Sequence, residues 1–188
     1  MSTTQPIRNI EHIHALTNYY KNLGQHRNHL LIIFCLHSAL RIGDILPIRW
    51  RDVYNFKQKC AHKTMTIKEQ KTGKRKTVAL NSKIAAALKF TATTAKPYEF
   101  LFASTRSSKP INRTQAYRII RTAGEAVNLA EQISCHSLRK TFGYHSWKSG
   151  VSPAVIMEIY NHSNLVQTRR YLGVAQDDLN NVYNEVVF

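Results

Sequence analysis

The sequence predicts a mainly α-helical fold carrying one small antiparallel β-sheet, an α+β arrangement. Three observations predict it. Apolar residues recur at helical spacing in several segments, most of them bounded by capping residues or glycine. A single stretch, residues 64–80, alternates with a period of two around a glycine-containing turn. The composition, 43% hydrophobic with only 7 Gly and 5 Pro in 188 residues, supports one packed core and argues against a disordered or fibrous chain.

Each element has its own signal. Ile10, Ile13, Leu16, Tyr20 and Leu23 lie on one helical face, and Gly24 stops that helix. Residues 28–40 are almost all apolar and read as a buried helix. "ALRIGDILPIRWRDV", residues 39–53, then brings Arg41 and Asp44 abruptly out of apolar surroundings. Residues 64–69 and 75–80 read as the strands of a hairpin whose tip, "KTGK", is basic. Asn81 suits the N-cap of a helix carrying Ile84, Ala85 and Leu88. Asn112 followed by Gln115 resembles a capping box, and Ala116, Ile119, Ile120, Ala123 and Val127 continue at helical spacing. Arg113, Arg118 and Arg121 lie mainly off that stripe, available to phosphates. Residues 136–148 read as a helix ended by Gly150, and Ser152 with Pro153 opens the next. Residues 164–172 make a short helix. Leu179, Val182, Tyr183 and Val186 give the tail one apolar face. The expected organisation is a loose N-terminus at 1–8, a domain at 9–174 and a helical tail at 175–188.

Charge narrows the partner. Lys and Arg number 27 against 11 Asp and Glu, a net charge of +16, which points to a polyanion. The longest apolar run, Leu30 to Leu36, is too short to cross a bilayer, and no signal peptide is evident. Nucleic acid is therefore the expected partner, with no membrane. Cys35, Cys60 and Cys135 show no metal-finger spacing and are expected as reduced thiols of a cytoplasmic protein, with Cys35 in the core. The paired histidines, His12 with His14 and His26 with His29, lack supporting carboxylate or cysteine ligands, so no metal site and no cofactor are expected.

Four features then stand together: Arg41 after a buried helix, Lys71 on the hairpin tip, "HSLR" at 136–139, and His162 with Tyr171. His136 and Arg139 are three residues apart, so a helix points both at one spot. Each feature alone is common by chance; their order and spacing together are informative. With them on the page, the chain resembles the tyrosine recombinases of the phage-integrase family. "ALRIGDI" is similar to that family's first box, with Asp44 in the acidic position three residues after the arginine. "CHSLRKTFGYHSWKSG" and "YNHSNLVQTRRYLGV" are similar to the second. The resemblance spans roughly residues 10–175. It departs at Tyr160-Asn161-His162, where the family usually has Leu-Gly-His, and at Lys140, where many members have histidine. The 188 residues leave no room for the additional N-terminal DNA-binding domain of most members, so the match is closest in size to minimal single-domain members.

The resemblance implies a catalytic set of Arg41, Lys71, His136, Arg139, His162 and Tyr171, with Asp44 in support. The chemistry suits them. Two arginines offer forked, permanently charged donors to a phosphodiester's non-bridging oxygens. Tyrosine, with a pKa of about 10, needs help to become a nucleophile, and His136 can take its proton. Lys71 would protonate the leaving 5′-oxygen, aided by repulsion from Lys74, Arg75 and Lys76, and His162 would position the phosphate. The 3′-phosphotyrosyl product conserves the bond energy, so no ATP or metal is required.

Alternatives stay open from sequence. Tyr171 on its own fits a core tyrosine. Lys68, Lys74 and Lys76 compete with Lys71, and Arg41 with Asp44 fits a structural ion pair. Backbone contacts to DNA are expected from Lys74, Arg75, Lys76, Arg113, Arg118, Arg121 and Lys140, while Arg169 and Arg170 suit either DNA backbone or packing. The tail either packs on its own domain or docks on a neighbouring protomer. The expected activity is site-specific cutting and rejoining of double-stranded DNA, as an integrase or an invertase of a mobile element. The enzyme is expected as a monomer in solution and a tetramer on paired sites, with an accessory protein that bends DNA or supplies an N-terminal domain. The competing readings are type IB topoisomerase-like relaxation and a catalytically silent DNA-binding regulator.

Overall fold

A computed structural model describes residues 4–174, 178 and 183–185. Helix α1 (Ile10–Asn22) starts where the Asn9 side chain accepts from the Glu11 amide at 2.7 Å. It gives way to a turn at Gly24, whose φ of 67° suits a residue without Cβ. Helix α2 (His26–His37) is the centre of the core: Leu30, Leu31, Ile32 and Phe34 are fully enclosed, touched by α1, α5 and α7. Each such side chain contributes about 1.5–3 kcal/mol of burial.

The expected helix at 28–40 stops earlier, at His37. Ser38 turns its hydroxyl back onto the Phe34 carbonyl at 2.6 Å, and Ala39 takes a left-handed φ of 55°. For a residue with a Cβ that conformation costs on the order of 1 kcal/mol. It reverses the chain so that Arg41, extended at the N-cap of α3 (Ile42–Ile45), points away from the core that α2 occupies.

Helix α4 (Trp50–Val53) leads into a two-residue ribbon, β1 (Tyr54–Asn55) against β2 (Cys60–Ala61). The sequence predicted one sheet; there are two separate antiparallel ribbons among the described residues. Two-residue strands are too short for alternation to register. The predicted hairpin is β3 (Thr64–Lys68) and β4 (Arg75–Ala79), paired from Thr64↔Ala79 to Lys68↔Arg75. Met65 and Val78, a facing pair, are buried beneath it.

The capping signals hold. Asn81 caps α5 (Ser82–Thr91), and Asn112 with Gln115 forms a reciprocal box at α6 (Arg113–Ala126). Ser134 caps α7 (Cys135–Lys148), and Ser152 with Pro153 opens α8 (Pro153–Tyr160). Asn164 caps α9 (Leu165–Leu172). A smaller cluster of Ala39, Ile156, Tyr160 and Leu172 closes the base of α8 and α9, with Tyr171 packed against it.

Of the segment expected to be loose, residues 4–8 make contacts with α7 and the end of α9. Ile7 is 6% exposed, its amide donates to Thr141 Oγ1 at 2.9 Å, and its carbonyl meets His145 Nε2 at 2.9 Å. Arg8 donates to the Gly173 carbonyl at 2.7 Å, and Lys140 to that of Thr4 at 2.5 Å. An apolar side chain and four polar contacts outweigh the composition of the segment. In the tail, Leu179, Val182 and Val186 lie outside the described residues. Asp178 pairs with Lys148 of the same chain at 3.4 Å, and Tyr183 is exposed.

Candidate active site

Arg139 is a fully buried charge, 1% exposed on the second turn of α7. Its guanidinium lies over the Tyr160 ring at 4.7 Å, and Nη2 donates to the Tyr160 carbonyl at 3.2 Å. Tyr160 in turn donates its hydroxyl to the Arg139 carbonyl at 2.6 Å. Gly143, one turn further on, makes this possible: a Cβ there would lie 2.8 Å from the Tyr160 ring. Arg139 Nε and Nη1 are buried with no hydrogen-bond partner among the described residues. Two unmet donors on a buried cation are costly, about 1–3 kcal/mol each, unless an anion arrives.

Arg41 converges on the same place. Its Nη2 reaches the Tyr160 carbonyl at 3.5 Å, so both arginines meet one acceptor at the C-terminal end of α8. The expected partner Asp44 is not its ion pair. Arg41 Nη1 pairs with Glu69 Oε1 at 3.1 Å, and Glu69 is 1% exposed. Asp44 instead accepts from the Gln70 amide at 2.8 Å, tying the hairpin turn to α3. Burial alone would raise the Glu69 pKa. Hydrogen bonds from Thr72 and Asn161 and the charges of Arg41 and Lys76 outweigh it and hold the carboxyl below its usual range.

The hairpin lysines divide. Lys71 sits exposed on the turn, and its ammonium makes no hydrogen bond or ion pair with the described residues. Lys74 and Arg75 are exposed beside it. Lys76 lies opposite Ile67 on the inward face, and its ammonium donates to the Ile159 carbonyl at the end of α8. Burial first, then the nearby Arg139 and Arg41, bring its pKa down to about 8, against the opposing pull of Glu69 and Asp44. Lys76, expected as a DNA-backbone contact and as a competitor of Lys71, lies within reach of the arginines' charge in this structure.

Tyr171, on the last turn of α9, is half-buried in a ring of site groups. Its hydroxyl lies 3.5 Å from His136 Nδ1. Its ring lies 5.0 Å from that of His162, 4.9 Å from that of Tyr160, and 5.7 Å from the Arg139 guanidinium carbon. Burial raises the Tyr171 pKa, opposed by the charges of Arg139 and Arg41. His136 is held below 6.5 by burial and then by Arg139, Lys140 and Arg41, so it is neutral at pH 7 and able to accept a proton. His162 is brought down to about 4 by burial and the surrounding cations. Its Nδ1 meets Thr168 Oγ1 at 3.1 Å, a hydroxyl that also donates to the Asn164 carbonyl at 3.4 Å. An open cleft of about 710 Å³, lined by His136, Lys140, Asn164, Gln167, Arg170 and Tyr171, gives access.

Of the sequence-derived set, Arg41, His136, Arg139, His162 and Tyr171 come together, and Lys71, exposed on the turn, makes no hydrogen bond to them but acts on His162 through its charge. Among the wider cationic candidates, Arg113 approaches Gln70 at 3.5 Å, Arg118 is exposed, and Arg121 is engaged with Glu125 at 2.6 Å. Lys140 also lies 5.7 Å from the Tyr171 ring centre. Sequence reasoning passed over Glu69 and Tyr160. Glu69 had a signal: it continues the inward face of Met65 and Ile67 on β3. Tyr160 had none beyond its apolar neighbourhood.

Solved structures share this fold. The XerA recombinase superposes with a TM-score of 0.78 at 18% identity, covering 98% of this chain and 68% of that one. The XerH site-specific recombinase bound to palindromic difH substrate gives 0.73 at 17% identity, covering 98% of this chain and 54% of that one. The fold is that of a tyrosine-recombinase catalytic domain. Sequence comparison narrows the class: the Phage integrase family profile matches residues 8–177, and the chain belongs to that family. It is 41% identical to the probable integrase/recombinase YoeC of Bacillus subtilis over 97% of both chains. It is 31% identical to the type 1 fimbriae regulatory protein FimB of Escherichia coli K12, over 80% of this chain and 76% of that protein. Among the described residues no helix is long and apolar enough to cross a membrane.

Proposed function

We propose that the chain is a site-specific DNA strand-exchange enzyme that cuts through a 3′-phosphotyrosyl intermediate at Tyr171. The observation that carries this reading is the pair of unmet, buried donors on Arg139 beside Tyr171, His136 and Arg41. A site that gathers two guanidinium groups around a single carboxylate and leaves two Arg139 donors unpaired is built to receive a further anion. In the reaction, Arg41 and Arg139 bind the non-bridging oxygens and His162 positions the phosphate. Tyr171 passes its proton to His136 as its oxygen attacks phosphorus. The phosphorus–5′-oxygen bond breaks, and the leaving oxygen takes a proton from a hairpin lysine. Lys71 fills that role if the turn closes over DNA; Lys76 already lies within reach of the arginines' charge. Reversal by another strand's 5′-hydroxyl reseals the backbone without ATP or metal.

The test is a set of nicked half-site duplexes, taken from the DNA that flanks the gene, whose cleaved fragment diffuses away. A covalent protein–DNA adduct is expected. A protein that retards this DNA but forms no adduct is a silent binder, which contradicts the proposal. Two further results are expected. Binding measured by anisotropy should weaken at least about a hundredfold between 50 and 200 mM salt, as several phosphate contacts require. A flat response contradicts the electrostatic account. The cleavage rate should fall on acidification, because His136, held below its usual value by burial and by Arg139, Lys140 and Arg41, must be neutral to take the proton. A rate that rises on acidification contradicts the base role.

A further inference from the structure

Asn161 occupies the position where tyrosine recombinases usually have glycine, and its side chain is engaged. It ends α8 in the left-handed conformation, φ 52° and ψ 47°, which glycine adopts without strain and asparagine tolerates. Its amide Nδ2 donates to Glu69 Oε2 at 2.8 Å and lies 3.4 Å from Thr72 Oγ1. Thr72 donates to the same Glu69 oxygen at 2.7 Å, and the other oxygen holds Arg41. One buried carboxylate thus joins three separate elements: the arginine after α2, the turn that carries Lys71, and the loop between α8 and α9 that carries His162.

We propose that Asn161 and Glu69 form a clasp that positions Arg41 and the hairpin turn for strand cleavage, a role that rests on the recombinase reading. Glycine at 161 provides the turn but has no amide to give. Glu69 without that amide keeps Arg41 and Thr72 yet loses its link to the loop that carries His162. Among Arg41, Arg139 and Lys76, a buried carboxylate with fixed partners also limits repulsion before DNA arrives. Asn161 and Glu69 are positioning residues, since neither is placed to touch the phosphate itself.

Asn161→Gly separates this role from a purely structural one. If Asn161 served only to end α8, glycine would fold equally well and cleave equally well. The clasp predicts a protein that still folds, with a melting temperature within a few degrees of wild type and DNA affinity within about twofold. It also predicts single-turnover cleavage of the nicked half-site slowed about tenfold, the size of one lost charge-assisted hydrogen bond. Trypsin should cut the turn after Lys71 and Lys74 at least about fivefold faster, because the turn has lost an anchor. Thr72→Ala, at an exposed position that leaves folding untouched, should shift both readouts in the same direction by about threefold. Wild-type cleavage and wild-type trypsin rates in both variants would overturn the clasp. If the wild type forms no adduct at all, the recombinase reading fails by itself. The trypsin comparison then decides the clasp alone, with unchanged rates refuting it.

Discussion

Tyr171→Phe should bind its DNA site within about twofold of wild type and form no covalent adduct on it. The substitution removes one oxygen. The ring keeps its contacts with Tyr160, His162 and His136, and the lost hydroxyl gives up a 3.5 Å approach to His136 Nδ1 and its interaction with Arg139. A stability change beyond about 0.5 kcal/mol is not expected. The loss of chemistry is complete because no other described hydroxyl is placed to take over. Tyr160, the nearest tyrosine, is sealed in the core, its hydroxyl is committed to the Arg139 carbonyl, and burial pushes its pKa up. An adduct formed by the phenylalanine variant would place the nucleophile elsewhere.

Arg139→Lys has the second largest expected effect. Lysine keeps the charge but not the fork, and it is too compact to span the Tyr160 carbonyl and an anion together. Cleavage should fall about 10²–10³-fold, as when one fixed donor is removed from a transition-state site, while DNA affinity stays within about tenfold. Some stability should go as well, because the 3.2 Å bond to the Tyr160 carbonyl and the guanidinium–ring contact are both lost. Comparing single-turnover rates with gel retardation separates these effects. An equal loss in rate and in affinity would mean that Arg139 binds ground state and transition state alike.

Much of the site was legible in the sequence because its signals are local or ordered along the chain. The caps at Asn81, Asn112 and Ser152 act within one turn of helix, so their neighbours suffice to find them. His136 and Arg139 share a face by helical geometry alone. Pairings across long stretches of chain were not legible. Asp44 is the close acid to Arg41 in sequence, yet the reversal at Ala39 and the hairpin's packing bring Glu69 there instead. No glycine or proline announces that reversal; tertiary packing imposes it on an alanine. The choice between lysines was half-legible. Strand register puts Lys76 opposite Ile67, hence inward, and leaves Lys71 on the turn, but which one meets DNA depends on where the turn goes when a duplex is bound. The anchoring of residues 4–8 depends on Thr141 and His145, which are far away in the chain.

The central claim is that Tyr171 becomes bonded to DNA. The most direct measurement is to trap the adduct on the nicked half-site, digest protein and DNA, and map the modified peptide by mass spectrometry. A nucleotide 3′-phosphate on Tyr171, absent from the Tyr171→Phe protein, is the predicted result. A modification on any other residue, or strand exchange with no protein-linked DNA, would contradict the account.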